Sequence, residues 1–266
     1  MSAVLDEARA TTRQVARTFA LACRILPRDV RDDVYLLYLM FRTLDDLVDE
    51  GRVDAPDRID AVVAWAVGDE EVLTPETTIL SDLATRHELP RDALLDFCAG
   101  MSEDLDGVVY ESEADVDRYC YRVAGTVGIV MSAVLGVSDP ARARPAAAAL
   151  GMAMQRTNIL RDIDEDVERG RVYFARSTLD RFGSLAPGSR EALLRDQIAR
   201  ADALYDQGIA GIRELRRGRR AIAAAADMYR ELLRQLEAEG YGSRPGRAIV
   251  PRSRKLRLAA RAAWRA

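Results

Sequence analysis

A chain of 266 residues, 48% of them hydrophobic, can bury a large core, so we predict one domain over residues 1–266. Three cysteines are too few for a disulfide framework, which excludes a small disulfide-stapled secreted domain and indicates a reducing compartment. The net charge is −4, but residues 244–266 hold eight basic residues and no acid, so residues 1–243 carry −12 once those eight charges are subtracted. No nucleic-acid-binding motif is present, and no nucleic-acid partner is expected.

Neither secretion nor a membrane span is predicted. The first residues, MSAVLDEARATTR, lack a basic start followed by an apolar block, so we expect no signal peptide. The longest apolar stretch, residues 127–137, is shorter than the roughly 18 residues expected of a spanning helix. We therefore expect a cytoplasmic protein that is soluble or in peripheral contact with a membrane.

The predicted elements are all helices. Residues of high helix propensity dominate and β-branched runs are few, which favours an all-α fold. Prolines in first turns and glycines after last turns mark the boundaries. In chain order, the predicted helices are Ser2 to Ile25, Val30 to Glu50, Arg58 to Val67, Glu76 to His87, Arg91 to Leu105, Val116 to Leu135, Pro140 to about Arg169, and two helices or one kinked helix over residues 190–239.

The second predicted helix carries a polar stripe on an apolar segment. In VYLLYLMFRTLDDLVDE, Tyr38, Arg42, Asp45 and Asp49 recur at i, i+4, i+7 and i+11, with Asp46 beside them. A solvated helix face is the simplest explanation of such acids. The helix is otherwise apolar almost all round, however, which indicates a core position where unpaired carboxylates are costly. A bound cation would remove that cost.

The helix predicted over residues 116–135 contains small residues at regular intervals. Ala124, Gly125, Gly128 and Ser132 allow another helix or a ligand to approach the backbone closely. Each interior glycine costs about 1 kcal/mol, so something must fill the groove they leave. Tight helix packing and a bound ligand both explain the pattern at this stage.

The next helix carries a second polar stripe. In QRTNILRDIDEDVERGRVY, residues 155–173, the side chains of Asn158, Asp162 and Asp166 recur every fourth residue and share a face with Gln155. Carboxylate and amide oxygens suit Mg²⁺, which completes its coordination with water and substrate phosphates. Two such stripes predict a clamp for Mg²⁺ and a diphosphate. The predicted metal ligands are Asp45, Asp46, Asp49, Asn158, Asp162 and Asp166.

Three separated stretches resemble the squalene/phytoene synthase family. They are RTLDDLVDE at residues 42–50, YCYRVAGTVGIVMSAV at residues 119–134 and LGMAMQRTNILRDIDEDVERGRVYF at residues 150–174, in the family's order. Weaker similarity extends from about Thr12 to Leu258. The resemblance implies an isoprenoid-synthase-type helical bundle around a central cavity. It also implies a prenyltransferase that uses two or three Mg²⁺ ions.

The resemblance also implies roles for single residues. Arginines would pair with phosphate oxygens, because a guanidinium can bind two at once. Arg171 and Tyr173 would fold back over the metal site, and Phe19 would contact substrate, although a plain core position explains Phe19 equally well. The implied catalytic residues are Asp45, Asp49, Asp162, Asp166 and Tyr173. The implied substrate-binding residues are Thr18, Phe19, Tyr38, Arg42, Tyr119, Val123, Val127, Gly128, Gln155, Arg161, Arg171, Tyr229 and Arg247.

The resemblance implies head-to-head condensation of two prenyl diphosphates through a cyclopropylcarbinyl diphosphate. We expect phytoene from two geranylgeranyl diphosphates, as in carotenoid biosynthesis. The alternatives are squalene or dehydrosqualene from farnesyl diphosphate, with NADPH needed only for squalene, and a cyclic terpene made on the same fold. A catalytically silent helical binding protein is a further alternative, which the intact acidic rows disfavour. Substrate chain length and oligomeric state are left open.

The basic tail, residues 244–266, has its own prediction. It could form an amphipathic helix that rests on anionic lipid, since the expected substrates and products are apolar. A solvated tail, or a tail folded back on the acidic mouth of the site, are the alternatives.

Overall fold

The predicted helices pack into a bundle in the computed structural model of the chain, which describes residues 2–69, 71–251, 253–254 and 257–258. Within these residues there is no strand, and a single isolated bridge pairs Val137 with Leu215. The all-α prediction is confirmed. The helices are α1 Ser2–Val15, α2 Arg17–Cys23, α3 Arg28–Asp49, α4 Ala55–Val67, α5 Pro75–Ala84, α6 Arg91–Asp106, α7 Glu113–Cys120, a π-helical segment Tyr121–Gly125, α8 Thr126–Leu135, α9 Pro140–Arg161, α10 Ile163–Glu168, α11 Arg176–Phe182, α12 Glu191–Ala210, a 3₁₀ turn Ile212–Glu214, and α13 Arg219–Ala238.

Helix α9 lies at the centre of the bundle, in contact with α7, α8, α12, α13 and the π-helical segment. Its alanine-rich sequence allows the neighbouring backbones to come unusually close. A Cβ atom on Gly151 would lie 2.1 Å from the carbonyl oxygen of Ala124, and one on Gly208 would lie 2.8 Å from the Cα of Leu150. Only glycine fits at such distances, so these residues fix α9 between the π-helical segment and α12.

Helix α3 carries the first polar stripe and buries its opposite, apolar face. Its apolar face is fully buried at Leu37, Met40 and Leu44, and it packs against α1, α5 and α8. The polar stripe of α3 is thereby fixed on the opposite side. This arrangement follows from the sequence, because three faces of the helix are apolar and one is not.

Two predicted helices are each broken in the structure. The helix predicted from Ser2 to Ile25 is interrupted at Ala16, with φ −107° and ψ 60°, and becomes α1 and α2. The break places the ring of Phe19 5.2 Å from that of Tyr38. The helix predicted to reach Arg169 ends at Arg161, and α10 begins after Asp162.

The break at Asp162 preserves the stripe that runs through it. The Asp162 amide still donates to the Asn158 carbonyl at 2.9 Å, and the Asp166 amide to the Asp162 carbonyl at 2.9 Å. Asp162 has φ −105° and ψ 12°, and aspartate is a poor residue for a helix interior. The prediction of two helices over residues 190–239 is confirmed by α12 and α13.

Two features bear on membrane contact, namely the length of the apolar helices and the position of the basic tail. None of the helices described is long and apolar enough to cross a bilayer. Part of the tail prediction lies outside the described residues, namely residues 252, 255–256 and 259–266. Of the tail residues that are described, Arg254 forms an ion pair with Glu231 at 2.6 Å, and Leu258 packs against a small cluster that includes Ala22 and Met228. This part of the tail therefore folds back onto α13 and α2.

Candidate active site

Helices α3, α8, α9, α12 and α13 enclose a cavity of about 330 Å³. It follows α9 from Ala143 to Asn158, a distance of about 22 Å at 1.5 Å per residue. Apolar side chains such as Phe41, Phe97 and Met131 form most of its wall. The polar residues gather toward the C-terminal ends of α3 and α9, so the cavity is an apolar channel with one polar end.

Many of the residues singled out in the sequence line this cavity. They come from α2, α3, α9, α13 and the segment that ends in α8, so the tertiary fold brings separate motifs together. Thr18 lies on α2 next to Phe19, and the remaining predicted residues lie around the polar end. The predicted residues that line the cavity are Phe19, Tyr38, Arg42, Asp45, Val123, Val127, Gly128, Gln155, Asn158 and Tyr229.

The small-residue segment contributes both packing and cavity wall. A Cβ atom on Gly128 would lie 2.3 Å from the Ala147 carbonyl oxygen, so Gly128 is required for close packing on α9. Gly128, Val123 and Val127 also line the cavity. Tight helix packing is therefore confirmed at Gly128, and a ligand against this residue stays a prediction. Tyr119, implied to contact substrate, is 3% exposed and lies outside the cavity lining.

On α3, two acids of the first polar stripe, Asp45 and Asp46, are paired with an arginine of the same helix. Arg42 donates to Asp45 at 2.9 Å and also to Asp46. The Arg42 Nε atom is buried without a hydrogen-bond partner among the described residues. Although 44% of the Asp45 side chain is exposed, it faces the cavity. Burial raises the pKa of Asp45 to about 7, while Arg42 opposes the rise.

The second row is held by arginines from two parts of the chain. The Arg161 Nε donates to Asp162 at 2.7 Å, and the Arg247 Nε lies 2.8 Å from the same carboxylate. Burial, together with the nearby charge of Asp162, raises the pKa of Asp166 to about 6. The Asn158 Oδ1 is a buried acceptor with no partner among the described residues. This row thus combines a crowded set of charges with one unsatisfied oxygen.

Arg171 connects the two rows. Its backbone amide donates to the Asp166 carbonyl at 2.8 Å, and its guanidinium forms an ion pair with Asp49 at the end of α3. The segment after α10 therefore folds back across the polar end of the cavity. Tyr173 follows in the same segment and stacks on Tyr119, with ring centroids 5.2 Å apart. Burial raises the pKa of Tyr173 to about 12.

Sequence reasoning missed two residues of this region. Asp104 on α6 accepts a hydrogen bond from the Tyr119 hydroxyl at 3.0 Å, and burial raises its pKa to about 6, opposed by that bond and by Arg171. Tyr110 stacks on Tyr173 with 6.4 Å between ring centroids. The signal for Asp104 was present, because it follows the buried Phe97 by seven residues and so shares the core face of its helix.

A buried charge network holds α9 in place just before the second row. Arg156 is 3% exposed and donates to Asp117 at 2.6 Å, to Glu113 at 2.9 Å and to Gln197 at 2.8 Å. These partners lie on α7 and α12. The network therefore fixes the position of α9 two residues before Asn158.

The residues present fit a magnesium site in chemistry, although they are not gathered as one. Within the described residues, no three His, Cys, Asp or Glu side chains are grouped so that they could hold a metal ion. Four of the five acids predicted to bind metal pair instead with the arginines predicted to bind phosphate; these four are Asp45, Asp46, Asp49 and Asp162. The donors are carboxylate and amide oxygens, which suit Mg²⁺, and Asn158 has a free acceptor. The assignment of metal ligands stays a prediction.

An all-α bundle around an apolar channel, with two acidic rows at one end, defines a protein of the isoprenoid-synthase fold. The family model described as "Squalene/phytoene synthase" matches residues 12–254. The chain therefore belongs to the squalene/phytoene synthase family, whose members are prenyltransferases.

Individual relatives and solved structures agree with this assignment. The chain is 38% identical to a phytoene synthase of Thermus thermophilus, over 89% of this chain and 84% of the relative. It is 35% identical to the 15-cis-phytoene synthase of a Synechocystis species, over 93% of this chain and 81% of the relative. Among solved structures, a dehydrosqualene synthase in complex with ligand aligns with a TM-score of 0.89 at 26% identity, over 99% of this chain and 96% of the other. The squalene synthase HpnC from Alicyclobacillus acidocaldarius aligns with a TM-score of 0.78 at 26% identity, over 90% and 95%.

Proposed function

We propose that this chain joins two geranylgeranyl diphosphates head to head to form phytoene. The observation that carries the proposal is the 38% identity to a phytoene synthase over 89% of the chain. The apolar channel with acids and arginines at one end supports it, because such a channel can bind a long hydrocarbon by its diphosphate. In the balanced reaction two diphosphates leave and two carbon-bound protons are lost, one as the cyclopropane ring forms and one as the triene forms, so that two C20 chains become one C40 hydrocarbon.

The ion pairs of the site indicate how substrate would be bound. Phosphate oxygens would take Arg42, Arg161, Arg171 and Arg247 from the carboxylates that they now neutralise. The carboxylates released would be Asp45, Asp46, Asp49 and Asp162. Asp166 and the neutral amide oxygen of Asn158 would join them as further metal donors. When bound there, Mg²⁺ would supply Lewis-acid neutralisation of the departing diphosphate. On binding, the arginines would thus exchange carboxylates for phosphate oxygens, and the acids would exchange arginines for the metal ion.

The rest of the channel would protect the reaction from water. Phe19, Tyr38, Phe41 and Phe97 present aromatic rings to it, and ring faces stabilise a passing positive charge. The π-helical segment and α8 contribute the apolar side chains of Val123 and Val127. Condensation through a cyclopropylcarbinyl diphosphate needs a channel lining that excludes water, because water would capture the carbocation.

A second candidate is the same condensation on farnesyl diphosphate. Two solved structures of similar fold, at 26% identity, are a dehydrosqualene synthase and a squalene synthase. Dehydrosqualene formation would lose a proton, as phytoene formation does, whereas squalene formation would consume a hydride from NADPH. Both would use the same two rows of acids.

Product analysis tests the proposal. The purified protein is incubated with Mg²⁺ and either the C15 or the C20 diphosphate, with and without NADPH, and the organic extract is analysed by mass spectrometry. We expect a linear C40 hydrocarbon with a central conjugated triene from the C20 substrate, independent of NADPH. A C30 product would favour the second candidate, and a cyclic product from one substrate molecule would refute condensation. The Asp162→Ala variant serves as the inactive control.

We also propose peripheral contact between the basic tail and anionic lipid. The eight basic residues of 244–266 support it, as does the apolar nature of the substrate class. The ion pair between Arg254 and Glu231 favours a tail partly folded on α13. Equal sedimentation with neutral and with anionic vesicles would contradict an electrostatic contact, and loss of sedimentation on truncation after residue 251 would support it.

A further inference from the structure

A second cavity, of about 580 Å³, lies on the other side of Asp162 and shares no lining residue with the apolar channel. Its walls are the junction of α9 and α10, the start of α12, and the turn over residues 238–247. Arginines dominate its polar lining, since Arg161, Arg190, Arg244 and Arg247 face only two carboxylates, Asp164 and Glu239. We call it the arginine cavity.

The charges of the arginine cavity are only partly neutralised. Arg190 is 3% exposed and donates to both oxygens of Asp164, at 2.6 and 2.9 Å, so the charges of this pair cancel. Arg161 and Arg247 share one carboxylate, that of Asp162. Arg244 is exposed and forms no ion pair within the described residues. The four arginines therefore face three carboxylates, those of Asp162, Asp164 and Glu239, which leaves a net charge of +1.

Arg190 also has an unused donor that faces the turn. Its Nε atom is buried and has no hydrogen-bond partner among the described residues. A Cβ atom on Gly242 would lie 2.3 Å from this Nε, so only glycine at this position lets the turn pack so closely on the guanidinium. A buried, unpaired guanidinium donor is costly, and a bound acceptor would remove the cost. The floor of the cavity is apolar, with Leu194 fully buried, and this strengthens any charge pairing above it.

We propose that the arginine cavity binds a diphosphate anion without a metal ion. Planar guanidinium groups match the paired oxygens of phosphates, and several of them around one cavity provide both charge and donors. The proposal rests on the proposed function only for the identity of the anion, because that reaction releases diphosphate. The shared chemistry is a diphosphate, whether free or at the head of a prenyl chain.

Binding in the arginine cavity would be coupled to the acidic row. Arg161 and Arg247 both line the cavity and both hold Asp162. An anion that draws these arginines toward the cavity loosens their hold on the Asp162 carboxylate. That carboxylate is then available to the cation-binding row on the other side.

Calorimetric titration in EDTA tests the proposal with the full chain. Inorganic diphosphate is titrated into the wild type, Arg244→Gln and Arg220→Gln. Arg220 is exposed at the other end of α13, about 30 Å from the turn at 1.5 Å per residue. We expect metal-free binding that weakens about tenfold or more in Arg244→Gln, because a charge-assisted contact is lost, and stays unchanged in Arg220→Gln.

Further titrations separate this cavity from the acidic clamp. Asp45→Asn should retain metal-free binding of diphosphate, since Asp45 lines only the apolar channel. Farnesyl diphosphate is titrated in EDTA in the same way. If its binding also weakens in Arg244→Gln, the head group of a prenyl diphosphate binds in the cavity. If only the binding of inorganic diphosphate weakens, the free anion is the ligand. Binding that requires Mg²⁺, or that is equally strong in Arg244→Gln, would overturn the proposal. Failure of phytoene formation would leave this titration unchanged, so the two proposals fail separately.

Discussion

Replacing Asp104 by asparagine should stabilise the protein in a way that depends on pH. Burial raises the pKa of Asp104 from its ordinary 3.8 to about 6, so ionising it costs free energy in the folded state. The cost is absent below pH 4, where both folded and unfolded chains hold the proton. It grows as the pH rises through the folded-state pKa and is complete above it.

The size of the effect follows from that pKa. At 1.36 kcal/mol per pH unit, a pKa of about 6 in place of 3.8 corresponds to at most about 3 kcal/mol at pH 8, and about half of that at pH 5. Asparagine keeps an acceptor for the Tyr119 hydroxyl, which now lies 3.0 Å from the carboxylate. Asp104→Asn should therefore be more stable than the wild type at pH 8, and by a smaller margin at pH 5.

Urea unfolding at the two pH values, in EDTA, measures this difference. The control is Asp106→Asn, which removes an exposed carboxylate two residues later on the same helix and should change stability little at either pH. If Asp104→Asn were no more stable than the wild type at pH 8, ionised Asp104 would not lower the free energy of unfolding. The same conclusion would follow if its advantage did not shrink at pH 5.

Three further predictions concern packing, the buried network and turnover. Gly151→Ala should lower the free energy of unfolding by about 1–3 kcal/mol or more in urea titrations, because its Cβ would lie 2.1 Å from a backbone oxygen. Arg156→Met should lower it by about 1–3 kcal/mol, since Glu113 would lose a charged donor but keep those of Thr178 and Gln197; an unchanged urea midpoint would contradict this. Asp45→Ala should abolish product formation while far-ultraviolet circular dichroism stays that of the wild type, and a wild-type rate would disprove its role.

The parts of the site that sequence could predict are those set by local spacing. Asp45 and Asp49, or Asn158 and Asp162, share a helix face because of their separation along the chain, whatever the tertiary fold. The apolar surroundings of the first row also marked it as more than a solvated surface. The prediction of one domain over residues 1–266 stays a prediction.

The parts that sequence could not predict depend on distant partners. Asp162 interrupts its helix where Arg247, 85 residues later, holds its carboxylate, and no local pattern contains that contact. Asp104 has its role only because α6 places it against Tyr119 and near Arg171. The ion pairs of Asp49 with Arg171 and of Asp162 with Arg247 likewise depend on the tertiary fold.

The central claim is that the two acidic rows act on one ligand, and a double-mutant cycle tests it most directly. Binding of a prenyl thiodiphosphate that cannot ionise is measured by calorimetry with Mg²⁺ for the wild type, Asp45→Asn, Asp162→Asn and the double variant. We expect each single change to weaken binding about tenfold or more, and the double variant to be little weaker than the worse single variant. Losses that simply multiply, or single variants that bind as the wild type does, would contradict a shared clamp.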